Sequence, residues 1–241
     1  FTRPMRQAGK SRTDDAAARP LRTPTGERVY EEIRRMAVGY DFRPNERINE
    51  LELAGRMGVS RSPIREALQR LVTEGLITVQ PNRGFFCRDL DVNQIVHLSD
   101  VRAFLEQKAV ELAAENAPLD ELNGLVSWWN LVTERADSYS SAELTNKDEE
   151  FHMRIARMSG NPELSRMIHG INARIRFVRE IEIEKQRRRS TTYTEHTDIA
   201  EALRNRQGKA AGELMLEHIR MSVTDAMTTV KDGLARIFLR D

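Results

Sequence analysis

One cysteine, Cys87, stands in 241 residues, which excludes an internal disulfide framework and a cysteine-based zinc finger. Aromatic residues make up only 6% of the chain, against 39% hydrophobic and 31% charged. A composition poor in rings and rich in Ala, Leu, Glu and Arg suits a mainly helical protein better than a β-sandwich. No run approaches the roughly 18–20 apolar residues a membrane helix needs, and no secretory leader is visible. The expectation is a cytoplasmic, nucleoid-associated protein with no membrane partner. Net charge is also nearly lacking, at +1, but its distribution is uneven. Residues 1–90 carry 17 Lys and Arg against 12 Asp and Glu, whereas residues 91–241 carry 21 against 25. That asymmetry places an anionic partner on the N-terminal third.

The length suits two domains. Residues 1–24 hold Pro4, Gly9, Pro20 and Pro24 without apolar periodicity and read as a disordered arm. A helix starts near Thr25, with Val29, Ile33 and Met36 on one face, and stops at Gly39. A turn at Pro44-Asn45 leads to a short helix with Leu51, Leu53, Ala54 and Met57, closed by Gly58 as a left-handed cap. Ser60 is placed as N-cap of a third helix, Pro63 sits in its first turn, and Ile64, Leu68, Leu71 and Val72 form its buried stripe. Leu76 to Val79 and Phe85 to Cys87 flank Pro81-Asn82-Arg83-Gly84, the pattern of a hairpin. Three helices and a hairpin over 25–90 make a winged helix-turn-helix.

From Asp91 the periodicity is helical. It predicts an antiparallel all-helical bundle of about six helices, at 91–115, 118–137, 141–158, 162–185, 193–206 and 208–232. Arg187-Arg188-Arg189-Ser190 reads as an exposed loop and 233–241 as a tail. The fold class is mainly α.

Glu52-Leu53-Ala54, Gly58-Val59-Ser60-Arg61, Pro63-Ile64-Arg65-Glu66-Ala67-Leu68, Leu71 and Gly75-Leu76-Ile77 resemble the GntR family of repressors over about residues 25–88. The second helix of a helix-turn-helix enters the major groove N-terminal end first. Here that end carries Ser60, Arg61, Ser62 and Arg65. Arg61 and Arg65 project from one face and each can contact guanine O6 and N7, with phosphate contact as the plainer alternative. Arg83 beside Gly84 at the wing tip is placed for a minor groove or a phosphate. Arg34 and Arg35 are either phosphate contacts or a solvated face. Leu51 stands where one branch of the family has a base-reading arginine, which implies a different operator.

Arg102 and Glu106, Asp148-Glu149-Glu150-Phe151-His152, Ser159-Gly160-Asn161-Pro162, Glu195-His196 with Ile199, Ala202 and Leu203, and His218 resemble the FCD effector domain of the FadR-like GntR subgroup, with the VanR-type branch a candidate. The match spans about 91–232. Asp148 and His152 share a stripe with Phe151 and Ile155, His196 leads Ile199 and Leu203, and His218 lies with Leu214 and Met221. A single histidine on an apolar face is more often a hydrogen-bonded core residue. A carboxylate and three imidazoles facing one core are costly to bury unpaired, and a shared cation removes that cost. Position by position, the resemblance implies a metal site of Asp148, His152, His196 and His218, suited to Zn²⁺ and also to Ni²⁺ or Mn²⁺. Arg102, on a stripe with Leu98, Leu105 and Ala109, either anchors an organic-acid effector, as the resemblance implies, or pairs with Glu106. His97, His169 and the pair Trp128-Trp129 read as structural.

These readings converge on a DNA-binding transcription regulator, expected to be a repressor that binds palindromic operator DNA as a homodimer and responds to a small carboxylate beside a divalent metal. The rival from another class is a metal-dependent hydrolase with an accessory DNA-binding domain, since three histidines and an aspartate can also activate water.

Overall fold

Residues 24–221 and 223–239 are described in the computed structural model of the chain, with all their side chains except Pro24 and those of 186–192. The arm expected over 1–24 lies outside this range, save that Pro24 opens the first helix. Helix α1 (Pro24–Val38) buries Val29, Ile33, Met36 and Ala37 at three- and four-residue spacing. Helix α2 (Glu50–Met57) begins where the Asn49 side chain accepts from the Leu51 and Glu52 amides and ends at Gly58, whose φ of 65° suits glycine. Helix α3 (Arg61–Thr73) packs Ile64, Ala67, Leu68 and Leu71 inward.

Ser60 occupies the N-cap position of α3 with extended backbone, but its side chain makes no capping hydrogen bond. Of the two N–H groups a serine cap can receive, those of the second and third helical residues, the third is absent because that residue is Pro63, and the one on Ser62 is not taken up.

Strands β1 (Ile77–Gln80) and β2 (Gly84–Cys87) form the hairpin in antiparallel register, from Ile77 opposite Cys87 to Gln80 opposite Gly84. The segment read as a turn also contributes to this sheet. Ile48 N–H donates to Phe85 O and Cys87 N–H to Glu46 O, both at 2.9 Å.

Among the described residues seven α-helices follow: α4 (Val92–Asn116), α5 (Leu119–Glu134), α6 (Ser141–Met158), α7 (Pro162–Glu184), α8 (Gln186–Arg204), α9 (Gly208–Ile219) and α10 (Val223–Phe238), with a 3₁₀ turn at Ala136–Ser138. Three expectations are corrected. The helix predicted over 208–232 breaks at Arg220, which is extended (φ −58°, ψ 132°), so that α9 can lie along α4 while α10 packs on α4 and α7. The loop expected at 187–190 is backbone of α8. Arginine is a good helix former, and no Gly or Pro interrupts 171–207. The expected tail from 233 is helix as far as Phe238, with Ile237 buried.

Two large apolar cores form among the described residues, beside a small cluster of Ala109, Ala156 and Ile168. One begins in the winged helix with Ile33, Leu68 and Phe85 and continues without a break through Leu90, Ile95, Phe177, Ile181 and Val230. The other lies inside the bundle around Leu122, Trp129, Phe151, Ile199 and Met215. Gly233 allows α10 its approach to the first. A Cβ there would lie 3.0 Å from Phe177 Cε1 and 3.1 Å from Ile181 Cδ1. Gly233→Val is expected to cost about 1–3 kcal/mol by overpacking, and so to lower the melting temperature by about 2–12 °C in a chain of this size. Thermal unfolding followed by circular dichroism checks this, and an unchanged midpoint would place α10 off the core.

Candidate metal centre and nucleic-acid interface

Three exposed residues open α3: Arg61 and Ser62 in its first turn, and Arg65 one turn on. Arg61 is 64% exposed and its guanidinium lies 3.9 Å from Glu50 of α2. Ser62 Oγ donates to Glu66 at 3.2 Å. At the wing tip Arg83 is exposed, with its guanidinium 5.5 Å from the Phe86 ring centre. Arg34 and Arg35 sit elsewhere. They line a cleft between α1 and α7, where Arg34 pairs with Glu74 and Arg35 with Glu32 and Asp41.

Inside the bundle, Asp148, His152, His196 and His218 each bring one ligand atom to within 4.8 Å of the others, and all four residues are buried. Helix α6 supplies the first two, fixed in phase by the Ser140–Glu143 capping box at its start. Helices α8 and α9 supply His196 and His218. Nε2 of His196 lies 3.2 Å from Nε2 of His152 and 3.7 Å from Asp148 Oδ1. Ligands of one zinc ion sit roughly 3–4 Å apart around it, given bonds of about 2.0–2.2 Å. The donor set therefore fits a divalent ion, and Nδ1 of His196 is buried without a hydrogen-bond partner.

Carboxylates behind the cluster orient the imidazoles. Glu106 of α4 accepts from His152 Nδ1 at 2.5 Å and from Arg102 Nε at 2.5 Å. Burial alone would raise the Glu106 carboxyl, but Arg102 and His152 hold it at about 2. An ionised Glu106 obliges His152 Nδ1 to be the donor, which leaves the Nε2 lone pair facing the cluster. Glu195 does the same for His218 Nδ1 at 2.6 Å. Burial pushes all three imidazoles below their ordinary pKa, His218 to about 4. They are neutral at pH 7, as metal ligands must be.

Of the two alternatives for Arg102, the pairing with Glu106 is present. Its Nε pairs with Glu106, while one terminal nitrogen is buried with no hydrogen-bond partner. Arg102 lines a cavity of about 40 Å³ with Ser99, Asp148, Arg179 and His218 on the polar side and Ile175 and Ile219 among the apolar residues. Arg179 of α7 makes an ion pair with Asp148.

Residues 25–87 match the bacterial regulatory proteins of the gntR family, and residues 97–221 match the FCD domain. The chain belongs to the GntR family. It is 39% identical over 206 residues to the Nta operon transcriptional regulator of Aminobacter aminovorans, covering 86% of this chain and 96% of that one. It is 30% identical over 213 residues to the HTH-type transcriptional regulator YdhC of Bacillus subtilis (strain 168), covering 88% and 95%. In fold it is similar to a GntR transcriptional regulator of Rhodococcus sp. RHA1 (TM-score 0.65, 23% identity, 91% and 100% covered) and to E. coli McbR/YncC (0.62, 21%, 90% and 98%). The protein is thus a DNA-binding transcriptional regulator with an FCD domain. Its relatives are regulators, and nothing in them supports the hydrolase reading.

The structure of this FCD domain brings together all four expected ligands and Arg102, and adds residues that sequence reasoning missed. Arg179 is one of four arginines in α7, but it continues the buried Ile168 and Ile175 stripe, the same signal that singled out Arg102. Trp129 packs edge-on against His196 with centroids 4.5 Å apart, and Phe151 lies 4.2 Å from the same ring. His218 shares its face with Ala211 and Met215, because Leu214 is 41% exposed and Met221 lies beyond the helix end. His97 and His169 are exposed and are not among the four clustered residues.

Removing one partner of a buried ion pair strands the other charge. Glu106→Ala is therefore expected to destabilise the protein by about 3–5 kcal/mol in urea unfolding, and Arg102→Met with Glu106→Leu to recover much of that loss. A Glu106→Ala effect under 1 kcal/mol would mean that Arg102 finds another partner.

Proposed function

We propose that this regulator is a repressor that binds a palindromic operator as a homodimer and is switched by a small carboxylate held beside a divalent metal ion. The observation that carries the reading is the buried set of Asp148, His152, His196 and His218, adjoining a cavity lined in part by Arg102, one of whose terminal nitrogens is buried without a hydrogen-bond partner. Those four residues would hold the ion, Zn²⁺ before Ni²⁺ or Mn²⁺, which would supply positive charge and a coordination position beside the cavity. Arg102 offers a charge-assisted hydrogen bond to a ligand carboxylate, and Arg179 can exchange its pairing with Asp148 for one with the ligand.

On the DNA side, Ser60, Arg61, Ser62 and Arg65 face base edges in the major groove, while Arg83 and Gly84 reach the neighbouring backbone or minor groove. One such helix reads only a few base pairs, so a two-fold dimer doubles the site. DNA binding puts the protein in the cytoplasm.

Helix α7 supports a route between the two sites. The cavity has room for roughly three waters, so a larger ligand must displace its wall, to which α7 contributes Ile175, Val178, Arg179 and Glu182. The same helix touches the DNA-binding unit. Arg174 packs on Gly75 just past the end of α3, its Nε 3.3 Å from where a Cβ would sit, and Phe177 lies 5.0 Å from the Tyr40 ring. A ligand changes DNA affinity only to the extent that it binds the two arrangements unequally.

Two sets of variants test this. Arg61→Ala and Arg65→Ala are each expected to lose about 1–3 kcal/mol on operator DNA and much less on scrambled DNA. Equal losses on both would reduce the pair to phosphate contacts. His152→Ala combined with His196→Ala is expected to abolish stoichiometric metal in elemental analysis of untagged protein and to blunt the response to organic acids, while leaving DNA binding without effector. Full metal content in that variant would show the ligand assignment to be mistaken.

A further inference from the structure

Two arginines meet at the seam between the winged helix and the bundle without a counter-charge. Arg88 follows β2 and is 4% exposed, and Arg174 of α7 lies over Gly75. Among the described residues neither guanidinium has an ion-pair partner. The acids beside them are turned elsewhere. Glu74, next to Gly75, accepts from the Tyr30 hydroxyl at 2.7 Å and lies 3.8 Å from Arg34 Nε, while Asp89 accepts from the Leu90 N–H at 2.8 Å. An arginine cannot shed its charge, and a buried charge left uncompensated is costly. The C-terminal end of α3 offsets part of the charge on Arg174. For Arg88, burial lowers the pKa and the Arg174 charge adds to that.

The hydrogen bonds of Arg88 show what is missing. Its Nη1 donates to the Arg174 carbonyl at 2.5 Å, whereas Nε and Nη2 are buried with no hydrogen-bond partner. Nε and Nη2 form the edge of a guanidinium that offers two parallel N–H bonds, the geometry that grips two oxygens of one oxyanion. Arg174 Nε is buried and unpartnered as well. The Tyr40 ring, 5.0 Å from Arg88 Cζ, offsets some charge through its face but gives that edge no oxygen.

We infer that this seam is a second ligand site, at which Arg88 Nε and Nη2 hold two oxygens of a phosphate group and Arg174 Nε holds a third. Two guanidiniums match the charge of nearly −2 that a phosphate carries at pH 7. Neither arginine lines the cavity beside Asp148 and His218, so the site is separate from the one proposed for a carboxylate and does not depend on that reading. With the seam closed the donors are sealed from water, so phosphate enters as β2 and α7 part slightly, and once bound it ties the DNA-binding unit to the bundle.

The test is thermal melting of the full-length protein at fixed pH and ionic strength, with sodium chloride exchanged for inorganic phosphate. At ten times its dissociation constant the ligand is expected to raise the melting temperature by about 3–6 °C, beyond the general stabilisation that phosphate gives any protein. Arg88→Met is expected to show only that general effect. Arg88→Lys keeps the charge but lacks the two-donor edge, so it should fold and lose most of the specific rise. Arg102→Met with Glu106→Leu should keep the rise in full. Methyl phosphate in place of the inorganic ion shows whether an ester is also accepted, and a specific rise with either supports the site. No difference between the unmodified protein and the Arg88 variants overturns the inference. So does a rise lost in the Arg102 and Glu106 variant but kept in Arg88→Lys, which would put the phosphate in the cavity of the FCD domain.

Discussion

A carboxylate sealed from water is the constraint around which the FCD domain is organised. Glu106 is ionised in the centre of the bundle, and only contact with positive charge and hydrogen-bond donors makes that tolerable. Arg102, one turn away on α4, meets half of the demand, and the His152 N–H on α6 meets the rest. His152 thereby turns its free lone pair toward Asp148 and His196. The network also explains why aromatic residues surround it. Trp129 and Phe151 exclude water from the edge of His196, and low local polarity strengthens each of the charge pairs behind.

The same economy of contacts governs how the two halves of the molecule meet. The apolar core of the winged helix does not end at the domain boundary but runs into α4, α7 and α10. Arg88, just past β2, is buried at this seam, donating to Arg174 O at 2.5 Å with its guanidinium 5.0 Å from the Tyr40 ring centre. A continuous core transmits displacement better than a flexible linker, because close-packed groups cannot yield independently. Helix α7, with Arg179 at Asp148 and Arg174 at Gly75, is the element common to both ends.

The winged helix was almost wholly legible in the residue order because its determinants are local: apolar spacing in α1 and α3, the αL cap at Gly58, and turn residues between β1 and β2. Within the bundle, helical periodicity was equally plain, but boundaries were not. The break at Arg220 within 208–232 leaves only a weak mark in the residue order, since no proline or glycine stands there and the serine at 222, a residue type favoured at helix starts, is one polar residue among several; the bend answers to packing on α4. The basic stretch at 187–190 shows the converse: a run of charge suggests an exposed loop, although arginine favours helix.

For the site, the order of residues determined which polar groups face inward, because a period of 3.6 assigns each residue a face of its helix. Asp148, His152, His196, His218 and Arg102 were identified on that basis together with the family pattern. Periodicity does not say which faces meet. That Arg179 reaches Asp148, that Glu195 backs His218, and that Arg102 is divided between Glu106 and the cavity were decided only when five helices packed together. The first two pairings join residues about 31 and 23 positions apart, and the energy that selects them, compensation of charge removed from water, exists only in the assembled interior.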